Sequence, residues 1–182
     1  MLVRHCLLFA VLIASVYTDL AHGKIYNWST LSGILTGLLV NFALGGFWDG
    51  GWTGANLGSS AIAVGLVVLI VAWPYLRGGI AGGDVKLMLA VAAIGGFHDY
   101  FIINALVYTA LFGLLMAVLV LIWRGRLWAG VKGAVRFTFS AGSLQAEGGS
   151  EKAPERRITV PYGVAVAIGS VVAWYLVELP AA

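Results

Sequence analysis

Six apolar stretches with short connections between most of them fill this 182-residue chain, and no other feature limits its fold as much. They run at about 2–17, 29–47, 55–76, 85–97, 100–123 and 160–177. A helix needs roughly 20 apolar residues to cross a bilayer. Hydrophobic residues make up 60% of the chain and charged ones only 10%. An average soluble domain has about 25% charged residues, so a soluble fold could not cover its surface here. The expected fold is an all-α integral membrane protein of about six transmembrane helices, forming a single membrane-embedded domain over residues 1–182. The first and fourth stretches are short. The fourth is expected to begin within the Gly-rich segment before it and to be shielded by neighbouring helices.

The basic residues give an orientation. With six spans, Lys24, Arg77, Lys86, Arg124, Arg126, Lys132, Arg136, Lys152, Arg156 and Arg157 fall on one side, and only Arg4 falls on the other. The second side instead carries Asp49, Asp99 and Glu178. The positive-inside rule then puts the basic side in the cytoplasm and both termini outside it, in a multi-pass protein of the inner (plasma) membrane. A competing reading takes residues 1–23 as a signal peptide, but that leaves five spans and spoils the alternation of charge. The polar stretch 124–159 begins with Leu127, Val131 and Val135 at helical spacing beside basic residues. This predicts an interfacial amphipathic helix on the cytoplasmic surface, followed by a flexible Gly/Ser-rich loop. The tryptophans at 48, 52, 73, 123, 128 and 174 lie near span ends, as an aromatic belt would.

The single cysteine, Cys6, excludes an internal disulfide and a cysteine zinc site, and three scattered histidines do not suggest a metal cluster. No basic patch interleaved with aromatics points to nucleic acid. No metal and no cofactor is expected.

Two acids stand out. Asp19 closes the first stretch, and Asp84 lies in Gly78-Gly-Ile-Ala-Gly-Gly-Asp-Val-Lys-Leu87 at the entrance to the fourth. Six spans put both on one face, where two carboxylates that meet share a proton. Such a pair activates water and polarises a peptide carbonyl. The neighbouring glycines, Gly82 and Gly83, allow helices or a substrate backbone to come close. The plainer reading is that Asp84 caps its helix and Asp19 sits solvated in a loop.

Asp19-Leu20, Ile25-Tyr26-Asn27, Gly82-Gly83-Asp84-Val85-Lys86-Leu87 and Pro161-Tyr162-Gly163 together resemble the type IV prepilin peptidases, membrane aspartic proteases of the Gly-x-Gly-Asp class. The resemblance implies that Asp19 and Asp84 are the catalytic aspartates. It also implies a prepilin or pseudopilin substrate with a short basic leader, cleaved on the cytoplasmic side. With one cysteine and little polar chain, the sequence resembles the short form found with Flp/Tad pili, without the methyltransferase domain of larger members. It departs from the family pattern at Ala81, where the motif has its first glycine, and at Tyr26, where it has proline.

Asp84 is expected at a helix N-terminus and Asp19 at a helix C-terminus. The macrodipole then favours Asp84 as the ionised base and Asp19 as the protonated partner. Asn27 is expected to cap the second span or to hold the loop after Asp19. Lys86, on a different face from Asp84, is expected to meet lipid headgroups or to tune the field of the pair. The rival functions are a proton-coupled transporter that relays protons through Asp19 and Asp84, and a non-catalytic subunit of a pilus or secretion machine.

Overall fold

A computed structural model describes residues 2–49, 54, 56–123, 125 and 162–178. They form α1 (Leu2–His22), α2 (Asn27–Gly45), α3 (Leu57–Leu76), α4 (Gly82–Gly95), a 3₁₀ turn at His98–Tyr100, α5 (Phe101–Trp123) and α6 (Tyr162–Glu178). The described residues contain no strand. α1, α2, α3 and the segment His98–Trp123 are long and apolar enough to cross a membrane, and α6 is a shorter apolar helix. The expected interfacial helix and loop at 124–159 lie outside the described residues, as do Trp52, Trp128 and Pro161.

The chain divides into two compact units, Met1–Gly113 with Pro161–Ala182, and Leu114–Val160. The second unit is described at 125 and at 114–123, the end of α5, where Leu114, Leu115, Leu119, Ile122 and Trp123 are exposed apolar side chains. The first unit holds α1 to α4, α6 and α5 as far as Gly113.

α1 runs past the expected end at residue 17 because no helix breaker occurs before Gly23. Gly23 has φ +64° and donates its N–H to the Asp19 carbonyl at 2.8 Å, a glycine stop in the left-handed region. Asp19 therefore sits in the last turn of α1. α4 begins three residues before the expected residue 85 and ends at Gly95, because Gly96 takes φ +67°.

The short fourth helix is the centre of the bundle. Leu87, Met88, Val91 and Ile94 are buried, and α4 packs against α1, α2, α3 and α6. Its 14 residues make a rod of about 21 Å, against a hydrocarbon core of roughly 30 Å. A helix that stops short inside a bundle leaves its last carbonyls unsatisfied in a poor solvent for them. Two side chains meet this need. Arg4, buried on α1, donates to the carbonyls of Ile94 and Gly95. Asn41, buried on α2, donates to Ala93 O at 2.9 Å and Ile94 O at 3.0 Å. Beyond the helix, the Phe97 N–H donates to Ser59 Oγ at 2.8 Å.

α2 meets α4 along a seam of small residues: Ser29, Gly33, Gly37, Asn41 and Gly45 are all buried. A Cβ on Gly37 would lie 2.9 Å from the backbone of Ala93 and Ile94, so the two main chains are nearly in contact. In lipid this is the expected design, because apolar burial against another helix gains little over burial in acyl chains. The opposite face of α2 exposes Trp28, Leu31, Leu35, Leu39 and Phe42. Trp174, near the end of α6, packs edge-on against His5 and Phe9, with ring centroids 5.4 and 5.2 Å away.

Candidate active site

The end of the bundle opposite Arg4 gathers the C-terminus of α1, the α1–α2 connection and the N-termini of α4 and α6. Lys24 lies on that connection. Asp84 is the third residue of α4 and is only 9% exposed. The N-cap of α4 is Ala81, which makes no side-chain cap bond, so Asp84 is not the cap of the plainer reading. Ala81 has φ −74°, ordinary for any residue, so alanine carries no backbone cost where the family motif has glycine. Tyr26, the N-cap of α2, has φ −78°, a value that proline would also hold.

Asp19 is half-buried and lies within Coulombic reach of Asp84. Its Oδ2 accepts the backbone N–H of Gly163, in the first turn of α6, at 3.2 Å. Asp19 is therefore not a loop carboxylate in water. Tyr162, half-buried one residue earlier, lies within reach of the Asp84 charge, and its ring fills the space beside Gly113 on α5. Ile25 closes the group from the α1–α2 connection. A Cβ on Gly83 would lie 3.2 Å from Ile25 Cβ, and one on Gly163 would lie 3.1 Å from Ile25 Cδ1. A Cβ on Gly82 would lie 3.7 Å from the Tyr75 ring, an ordinary contact. Gly83 thus packs closely against Ile25, while a side chain at 82 would find room.

Asn27 and Lys86 meet each other. Asn27 is the first residue of α2 and does not cap it. Its Oδ1 accepts from Lys86 Nζ at 2.8 Å, at an exposed position. Lys86 therefore ties α4 to the start of α2 instead of reaching only for headgroups. The described residues include no group of three or more His, Cys, Asp or Glu that could hold a metal ion.

Sequence reading missed the Gly163 contact with Asp19, although Pro161-Tyr162-Gly163 was part of the resemblance. It also missed the Arg4 bonds at the far end, whereas Asn41 bonds from one helix to others as an asparagine inside a span is expected to. The signal for Arg4 was a charged residue inside an apolar stretch, with nothing to say what it met.

A bundle of apolar helices with two carboxylates and close-packed glycines at one end defines an integral-membrane hydrolase candidate. The family model of the type IV leader peptidase family matches residues 6–124, and the chain belongs to that family. It is a type IV leader peptidase-like membrane protease, whose family implies a prepilin-like substrate. No curated protein and no solved structure matches the chain. The matched stretch holds Asp19, Asp84 and the carbonyl end of α4 that Arg4 caps, and it stops before α6.

Proposed function

We propose that the protein is an aspartic endopeptidase that removes the short basic leader of prepilin-like precursors on the cytoplasmic side of the membrane, with Asp19 and Asp84 as its catalytic pair. The observation that carries this reading is the meeting of Asp19, Ile25, Gly83, Asp84 and Gly163, drawn from four separate segments, at one end of the bundle. Two carboxylates within Coulombic reach favour a state with one proton between them. The ionised member takes a proton from water as its oxygen adds to the scissile carbonyl carbon. The protonated member gives its proton to the carbonyl oxygen. Collapse of the gem-diol breaks the C–N bond, and the leaving amine takes back the proton gained from water. No metal or cofactor takes part in this scheme.

Orientation comes from charge. Lys24, Arg77 and Lys86 lie towards the aspartate end, and Arg4 lies at the other. The positive-inside rule places the aspartate end in the cytoplasm, where a basic leader preceding a transmembrane helix also resides. Both aspartates at one end also fit hydrolysis better than a proton path across the bilayer.

The test is co-expression of a prepilin-like precursor with wild type, Asp19→Asn or Asp84→Asn. The expected result is a shortened precursor with wild type alone. Uncleaved precursor with wild type, or cleavage that survives either substitution, overturns the reading.

A further inference from the structure

We propose that Gly163 is a positioning residue that sets the charge order of the pair: its backbone N–H holds Asp19 as the ionised base, and Asp84 carries the proton given to the substrate carbonyl. This deepens the peptidase reading and rests on it. It also reverses the order expected from sequence, which counted only the helix to which each aspartate belongs.

Three observations carry it. The first amides of a helix have no intrahelical acceptor and carry the positive end of its dipole. One of them, Gly163 N–H, points at Asp19 Oδ2 at 3.2 Å, so α6 supplies Asp19 with the anion-stabilising terminus that α1 denies it. Asp84 is the more buried of the two, and among the described residues none donates a hydrogen bond to it. Of two neighbouring carboxyls, the more buried one, with no protein donor among the described residues, is the one that keeps a proton. Finally, the approach requires glycine: a Cβ at 163 would lie 2.7 Å from Asp19 Oδ2 and 3.3 Å from its Cγ. Any side chain there pushes the carboxylate off the amide.

In the reaction, Asp19 takes one proton from water and later returns it to the leaving amine. Asp84 gives its proton to the carbonyl oxygen and recovers one when the gem-diol collapses. Water is consumed, and a carboxyl and an amine form. The titratable groups around Asp19 are Asp84 on α4, Tyr162 on α6 and, on the chain just after it, the exposed His22, Lys24 and Tyr26.

The experiment combines infrared titration of the purified full chain with precursor cleavage. In Asp84→Asn the remaining Asp19 should ionise at lower pH than the remaining Asp84 does in Asp19→Asn. Gly163→Ala should lower kcat about tenfold to a hundredfold with KM for the precursor changed less than about threefold, because the carboxylate moves while the substrate-binding surface stays. The acidic limb of its rate profile should move up by about one pH unit, as the base loses a donor. Asp84 ionising before Asp19, or an unmoved acidic limb in folded Gly163→Ala, overturns the proposal. If Gly163→Ala does not fold, the order of titration in the two Asp→Asn variants decides alone. Precursor cleavage that survives both Asp→Asn variants defeats the peptidase reading itself, whereas lost cleavage with reversed titration defeats only the charge order.

Discussion

The two ends of α4 are built on opposite terms. At its C-terminus the last carbonyls are taken up by Arg4 and Asn41, both buried, and the next chain segment is tied down by Ser59. At its N-terminus Asp84 lies within Coulombic reach of a second carboxylate, with Gly83 packed under Ile25 and the Gly163 amide on Asp19. One end satisfies polar groups; the other brings together two of like charge. Like-charge proximity costs stability and favours a shared proton, so the contrast separates a terminus whose polar groups are satisfied from the one that holds the proposed catalytic pair.

The largest effect should come from the aspartate end. Asp19→Asn or Asp84→Asn should lower precursor cleavage by about 10²–10⁴-fold while leaving the thermal midpoint in detergent equal or higher. A marked loss of stability instead would mean that the aspartates hold the bundle together. Gly37→Val should destabilise by about 1–3 kcal/mol or more by forcing α2 off α4, read as a lower midpoint in a detergent unfolding series. Gly65→Ala on α3 is its control: nothing lies within 4 Å of the added carbon, so it should be neutral or stabilising. Arg4→Leu should cost about 1.5–3 kcal/mol by stripping the carbonyls of Ile94 and Gly95 of a charged donor. Its kcat per folded molecule should match wild type, and a selective fall in kcat would show that the two ends are coupled. The smallest effect belongs to the Lys86–Asn27 bond, exposed at 2.8 Å. A double-mutant cycle of Lys86→Met and Asn27→Ala should give a coupling below about 1 kcal/mol.

Much of the fold was legible in the chain. Apolar runs marked all six helices of the described residues, because a membrane helix satisfies its backbone internally and needs only length and apolarity. Boundaries slipped where a glycine, not a change of polarity, ended the helix, as at Gly23 and Gly96. The small-residue seam Gly33-x-x-x-Gly37 was present in the sequence, yet no local feature shows which partner a seam meets. Scarcity of charge singled out Asp19 and Asp84 before any geometry was known. The partners of Arg4 lie 90 and 91 residues away, and Gly163 lies 144 residues from Asp19. No period or spacing carries information over such separations.

The sequence by itself determined a helical membrane protein, the approximate positions of its helices and the two aspartates worth pairing. Those come from local rules: hydropathy, residue size and the cost of charge in lipid. Only the tertiary structure decided that α4 is the shielded core, that Arg4 closes one end of it, and that α6 brings an amide to Asp19. Each of these depends on which helix stands beside which, and close packing between main chains sets that neighbourhood.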